Sequence, residues 1–258
     1  NFKLIIRSNS SPSGWSKNKF KKYIFKNSFK IPQYIIVNSF QFAKEVYSKF
    51  NIKTQVIYNP LNQMEILKKC KEKINFNFKD KKSLKIINVA RFTDQKDHIT
   101  LLRAFQIINL KINAELLIVG YGKNQQMIKN FISQHGLKDK VKILGFQKNP
   151  YAFIKKADIF ILTSLYEGLP NVLLEALTLK KFIISSDCPT GPKEILQNGK
   201  YGFLFQMKNV KQLADKILKF YNNKKSCQKK ITLGYKSLYR FDFDNCCNKY
   251  LSLIKKII

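Results

Sequence analysis

Histidine is almost absent: His98 and His135 are the only two in 258 residues, and neither stands near a cysteine in sequence, so a zinc site is not expected. The five cysteines (Cys70, Cys188, Cys227, Cys246, Cys247) contain no Cys-x-x-Cys pair. They are odd in number, and adjacent Cys246 and Cys247 are badly placed to bridge one another, so they read as free thiols in a reducing cytoplasm. No apolar run approaches the roughly 20 residues that a bilayer-spanning helix needs. The chain opens on Asn1 rather than Met and carries no charged-then-apolar leader; the expectation is a piece of something longer, with no targeting peptide.

Acids are scarce as well, 16 against 48 bases, leaving a formal charge of +32. Such a balance raises nucleic acid or an anionic membrane as partner. Arginine, however, is limited to Arg7, Arg91, Arg103 and Arg240. Proteins that read bases or clamp phosphates exploit the planar, two-pronged guanidinium. Lysines spread evenly among Ile, Asn and Phe, with no single stripe and no grouped aromatics beside them, read as the amino-acid bias of an A/T-rich genome. Nucleic acid is therefore not the expected partner. The basic stretch Lys17–Lys30, with Phe20, Ile24 and Phe25 among its lysines, reads either as a solvated helix face or as a peripheral contact with an anionic membrane.

What is present is enough apolar material, 45% of residues, for a substantial core. From Leu84 onward short β-branched runs alternate with amphipathic stretches, predicting a parallel sheet covered by helices on both faces. The strands expected are Leu84–Ala90, Glu115–Val119, Val141–Leu144, Asp158–Thr163, Phe182–Ser185 and Gly202–Phe205. Helices are expected near Ile99–Asn109, Asn124–Gln134, Pro150–Lys156, Asn171–Leu179, Pro192–Gln197, Val210–Tyr221 and Asp242–Ile257. Ahead of this unit lie a strand at Phe2–Ile6, the basic stretch, a strand Tyr34–Asn38, a helix Gln41–Phe50 and a strand Gln55–Tyr58, too few for an independent sheet of this type. The division expected is an incomplete α/β unit over 1–60, a linker over 61–83, a doubly wound Rossmann-like domain over 84–240, and a final helix over 241–258.

Ligands of open α/β sheets bind off the carboxyl ends of the strands. Five loops there carry informative residues. Ala90–Asp97 presents Arg91 and Lys96 at a helix start, where amides and dipole also favour an anion; the plain alternative is two solvated cations. Gly120-Tyr121-Gly122 permits a tight turn or a close ligand. Gly145-Phe146 offers backbone groups and an apolar wall to a flat base, or else a packing phenylalanine. In Ser164–Glu175, Glu167 and the Gly168-Leu169-Pro170 step precede a helix starting at Asn171. Glu175 lies just over a turn inside that helix among leucines, where a part-buried carboxylate wants a partner such as a ribose diol. In Ser186–Glu194, Pro192 opens a helix and Cys188 reads as a packed thiol.

In this order the loops resemble the C-terminal, nucleotide-sugar-binding domain of glycosyltransferase family 4, retaining enzymes of the GT-B fold. The resemblance implies that Arg91 and Lys96 hold the donor diphosphate and that Gly145-Phe146 lies against the base, with Gly120 and Gly122 in the same binding set. It further implies that Glu167, with the backbone of Gly168, Leu169 and Pro170 and with Asn171, contacts sugar and phosphates, and that Glu175 contacts the ribose. Glu167, Arg91 and Lys96 are the catalytic candidates. Ile6–Ser10, Ile36–Ser39 and Tyr58-Asn59-Pro60 resemble the second half of the family's acceptor-side domain, onto which the last helix crosses back. The first half, with its glycine-rich loop and acceptor-side histidine, has no counterpart.

The implied activity is transfer of a hexose or N-acetylhexosamine from a nucleotide-diphosphate sugar, UDP favoured, to a saccharide or lipid-linked acceptor in bacterial cell-surface glycan synthesis. No cofactor or metal is implied, since fixed cations and helix N-termini can stabilise the departing diphosphate, and an Asp-x-Asp metal-binding pair is neither needed nor expected. The expected place is the cytoplasm, peripheral to the inner membrane face. Two other readings stay open: a basic membrane- or nucleic-acid-binding module, and a nucleotide-binding fragment that transfers nothing.

Overall fold

The computed structural model describes residues 3–15 and 18–256. Phe2, Lys17 and Ile257, which bound three of the expected elements, lie outside the described residues.

The first unit comprises β1 (Ile5–Ser8), α1 (Pro12–Trp15), α2 (Lys19–Ser28), β2 (Tyr34–Val37), α3 (Phe40–Phe50) and β3 (Gln55–Val56). Its three strands are parallel in the order β1-β2-β3. Strand β1 lies further along than the expected Phe2–Ile6, because its register pairs Arg7 with Ile36 and Ser8 with Val37. The Ser39 side chain accepts the Phe42 amide and starts α3, and Asn51 ends it at φ 55°. Phe42, Val46 and Phe50 on one face of α3 pack against Val37, Ile35 and Phe29.

The second unit comprises α4 (Gln63–Lys69), β4 (Leu84–Val89), α5 (His98–Asn109), β5 (Ala114–Val119), α6 (Gln125–Gln134), β6 (Val141–Leu144), α7 (Tyr151–Lys156), β7 (Ile159–Leu162), α8 (Asn171–Thr178), β8 (Phe182–Ser186), α9 (Pro192–Ile195), β9 (Phe203–Phe205), α10 (Val210–Asn222), α11 (Lys224–Lys236) and α12 (Phe243–Lys255). Its parallel sheet runs β6-β5-β4-β7-β8-β9, so the strand order reverses beside β4, the topological switch point. The continuous apolar strands follow from burial on both faces. Ile86, Leu116, Ile118, Ile159 and Ile184 enter one core layer, and their neighbours Ile87, Leu117, Val119, Phe160 and Ile183 enter the other.

Besides the one-turn α1, two longer helices were not anticipated. Within the stretch expected as a linker, α4 forms: Asn62 caps it through the Glu65 amide, and Ile66 and Cys70 join the core with Phe76 and Phe78 behind them. Helix α11 is lysine-rich and buries only Cys227, Ile231 and Gly234, a stripe too narrow to stand out in sequence. Gly234 sits close to α8, where an added Cβ would meet Leu177 Cδ2 at 2.7 Å. At the chain's end, Leu253 of α12 is buried against Ile36 and Ile57 of the first unit, with Tyr250 and Tyr34 alongside. The Leu61 amide also donates to the Phe241 carbonyl at 2.9 Å, tying the end of the chain to the start of the second unit.

Candidate functional site

Between the two units, at the carboxyl ends of β1, β2, β4 and β7, lies a cavity of about 590 Å³. One wall carries Arg7, Asn9, Asn38, Asn59 and Pro60; the other carries Ala90, Arg91, Lys96, Glu167, Leu169, Pro170, Asn171 and Val172. A second cavity of about 540 Å³, against α12 and β3, shares no lining residue with it and carries none of the loops that end β4 and β7.

The loop after β4 is held by its neighbours. Phe92 donates its amide to the Tyr121 carbonyl at 2.7 Å, and its own carbonyl accepts from the Asn124 amide at 3.0 Å. This pairing explains Gly120 and Gly122, at φ 149° and 151°: a Cβ on the first would run into the Ala90 carbonyl, and on the second into the backbone of Phe92. The two glycines therefore admit a neighbouring loop, and neither lines the cavity. On the other side, Leu165 donates to the Gln95 carbonyl at 2.8 Å, Gln95 Nε2 to the Tyr166 carbonyl at 2.7 Å, and Thr163 Oγ1 to the Lys96 carbonyl at 2.7 Å. The loops after β4 and β7 thus form one stitched shelf that fixes Lys96 and Glu167.

On that shelf Lys96 Nζ lies 2.5 Å from Glu167 Oε1, both side chains nearly buried. The ion pair largely cancels within the cleft, and among the described residues Arg91 has no carboxylate partner. Arg91 therefore supplies the net positive charge of this wall. The start of α8 adds to it: Pro170 offers no side-chain cap, and Asn171 and Val172, whose amides open the helix, line the cleft. A shelf of one free guanidinium, one paired ammonium and open amides suits a diphosphate.

Six of the expected residues meet in the cleft: Arg91, Lys96, Glu167, Leu169, Pro170 and Asn171. Gly168 instead abuts the other unit, where a Cβ would run into the Asn9 carbonyl. Gly145 faces open space, and Phe146 stands 68% exposed, edge-on to Tyr121 at 5.7 Å between centroids, outside the cavity lining. Glu175 lies partly buried on α8; burial pushes its carboxyl up to about 7, and no hydrogen bond or ion pair of its side chain is found among the described residues. Cys188 is a buried thiol pushed up to about 12 by burial, which leaves it unreactive at neutral pH. All five cysteines are free.

Arg7, Asn9, Asn38 and Asn59 fall within Ile6–Ser10, Ile36–Ser39 and Tyr58-Asn59-Pro60, the segments that resemble an acceptor-side domain, but the sequence assigned none of them an individual role, because which polar residue of a strand end reaches the cleft depends on the fold. Sequence reasoning also passed over Asp242-Phe243-Asp244, an Asp-x-Asp. There the Asp242 side chain accepts the Asn245 amide and starts α12, and neither acid lines the cleft.

Two parallel α/β units facing each other across a basic cleft at their strand ends define the GT-B architecture. Residues 70–237 match the family described as glycosyl transferases group 1, and the chain belongs to that family. It is 30% identical over 295 residues to an uncharacterized glycosyltransferase of Methanocaldococcus jannaschii, covering 100% of this chain and 72% of that protein. It is 29% identical to the N-acetylgalactosamine-N,N'-diacetylbacillosaminyl-diphospho-undecaprenol 4-alpha-N-acetylgalactosaminyltransferase of Campylobacter jejuni, covering 86% of this chain and 64% of that one. Anabaena HepE in complex with UDP-glucose has the same fold, with a TM-score of 0.83 at 17% identity over 98% of this chain and 72% of that chain. The chain thus spans roughly two thirds of these relatives. Among the described residues no helix is long and apolar enough to cross a membrane.

Proposed function

We propose that the protein containing this chain is a retaining, metal-independent glycosyltransferase that moves a hexose or N-acetylhexosamine from a UDP-sugar to a saccharide or lipid-linked acceptor in cell-surface glycan synthesis. The observation that carries this reading is the cleft shelf, where Arg91 and the Lys96–Glu167 pair lie beside the open start of α8. The UDP-glucose of the HepE complex and the undecaprenol-linked acceptor in the name of the Campylobacter relative support it.

In the reaction the bond from the sugar's anomeric carbon to the diphosphate oxygen breaks, and the acceptor hydroxyl bonds that carbon on the same face. The hydroxyl's proton leaves with the diphosphate. Charge gathers on the departing diphosphate, and Arg91, Lys96 and the α8 amides are fixed where it forms, without reorganisation at the moment of reaction. Glu167 holds Lys96 in place through their ion pair.

Calorimetric titration with UDP, and with GDP for comparison, tests the reading. Saturable one-site UDP binding that Arg91→Ala weakens by about 1–3 kcal/mol is expected. Absence of UDP binding by the folded chain, or affinity unchanged in both Arg91→Ala and Lys96→Ala, overturns it.

A lipid-linked acceptor calls for a membrane contact, and α2 fits one. It buries no residue, exposing Phe20 (71%), Tyr23 (67%) and Ile24 at i, i+3, i+4 spacing among Lys19, Lys21, Lys22 and Lys26. Phe20→Gln/Tyr23→Gln/Ile24→Gln keeps the charge. Loss of sedimentation with phosphatidylglycerol vesicles in that variant supports peripheral docking at the inner membrane face; unchanged sedimentation assigns vesicle binding to bulk charge and removes α2 from it.

A further inference from the structure

The wall opposite Arg91 holds a cation of its own. Arg7, at the third position of β1, lines the same cleft and has no carboxylate partner among the described residues. Its guanidinium is held in place: Nη2 donates to Asn59 Oδ1 at 2.5 Å, and the group lies over the Tyr250 ring at 5.7 Å. Asn59 in turn donates from Nδ2 to Asn171 Oδ1 at 2.5 Å and to the Leu169 carbonyl at 3.3 Å. A chain of hydrogen bonds therefore runs from Arg7 across the cleft to the start of α8.

A second observation points the same way. Asn38 is 1% exposed and lines the cleft; its Nδ2 reaches the Asn9 carbonyl at 3.5 Å, while its Oδ1 has no partner among the described residues. A buried acceptor left open costs free energy, which a ligand hydroxyl would recover. The cation and the orphan acceptor line one wall of the same cleft, a combination that suits an anion next to a hydroxyl.

With Lys96 already compensated by Glu167, Arg7 and Arg91 are the two cations of the cleft that lack a counter-charge among the described residues, and they stand on opposite walls. We propose that Arg7 is a phosphate-binding residue of this cleft, contributed by the first unit, and that its ligand is a phosphate or diphosphate group adjoining a sugar, either the donor's own or one carried by the acceptor. This rests on the glycosyltransferase reading and narrows it: if the group is the acceptor's, the substrate is a phosphate-linked saccharide rather than a neutral one.

The test compares wild type, Arg7→Gln, Arg7→Lys and Arg91→Ala by calorimetry, with UDP, with inorganic pyrophosphate alone, and with pyrophosphate added to UDP-saturated protein. A tenfold or greater loss of UDP affinity in Arg7→Gln assigns Arg7 to the donor's diphosphate. Unchanged UDP affinity with a tenfold loss of pyrophosphate affinity on UDP-saturated protein assigns it to the acceptor's phosphate. Retention of both affinities within twofold in a folded Arg7→Gln overturns the proposal. Should Arg7→Gln not fold, Arg7→Lys keeps the charge without the two-pronged geometry and is expected to lose affinity severalfold; unchanged binding there overturns it equally. Failure of the glycosyltransferase reading is a separate result: wild type then takes no UDP, while pyrophosphate alone still reads Arg7.

Discussion

Glu194, at the start of α9, accepts a 2.7 Å hydrogen bond from the Tyr58 hydroxyl across the seam between the two units. The same carboxylate takes the Phe40 and Gln41 amides at 3.0 and 2.9 Å, so one side chain of the second unit caps α3 of the first. Burial, and then the neighbouring carboxylate, push the Tyr58 phenol above its ordinary range. Glu194 thereby does from another domain what a capping residue does locally, with its charge at the positive end of the helix.

Glu194→Ala should therefore lower unfolding stability by about 1–3 kcal/mol, the cost of leaving part-buried donors unmet. UDP affinity should change little, since Glu194 does not line the cleft. Denaturant unfolding with a parallel titration checks both; equal stability would mean that the seam bonds do not persist in solution.

The second unit was legible in sequence because its signal is local. Runs such as Ile86-Ile87 and Leu116–Val119 must be apolar when both sheet faces are covered, and each of the six expected strands overlaps one observed. The loops were legible as candidates for the same reason, each following such a run. What the sequence withheld is everything that depends on two distant segments meeting. Asn59 and Asn171 lie 112 positions apart and touch at 2.5 Å. Gly120 and Gly122 were read as serving a turn or a ligand, yet the contact that demands glycine comes from Ala90 and Phe92. Helix α4 hid because a lysine-rich segment with two buried residues looks like a linker until Ile66 and Cys70 find the core.

Glu175 makes the chain's stability depend on pH. Burial raises its carboxyl from 4.5 to about 7, so the native state keeps the proton to higher pH than the unfolded chain does. The favourable contribution is complete below pH 4.5 and is lost as pH rises through about 7. Glu175→Gln, neutral throughout, should be more stable than wild type by about 2–3 kcal/mol at pH 8.5 and equal to it near pH 4.5. A difference independent of pH in urea unfolding would refute the buried, unpaired carboxyl.

His98 acts in the opposite direction. It is 2% exposed, both ring nitrogens lack partners among the described residues, and it lies edge-on to Phe92 at 5.1 Å. Burial, and then nearby Lys96, lower it from 6.5 to about 4, so the unfolded chain binds the proton more readily. Stability is full above pH 6.5 and is lost as pH falls through about 4. Wild type should lose about 2–3 kcal/mol over that window beyond what His98→Leu loses. Parallel slopes for the two proteins would place the ring in contact with water.

Two glycines of the strand-end loops give opposite expectations for one substitution. At Gly168 an added methyl would meet the Asn9 carbonyl, a backbone atom of the other unit that cannot rotate away, so one unit must shift against the other. At Gly145 nothing lies within 4 Å. Gly168→Ala should cost about 1–3 kcal/mol of stability, the usual range for overpacking, and weaken UDP binding because the shelf carrying Glu167 moves with it. Gly145→Ala should leave stability within about 0.5 kcal/mol, and any loss of UDP affinity there reports a base or ribose lying where the methyl now stands. Thermal unfolding and calorimetry on both variants decide it: a harmless Gly168→Ala would mean that the two units do not close as tightly as their contact at Asn9 requires.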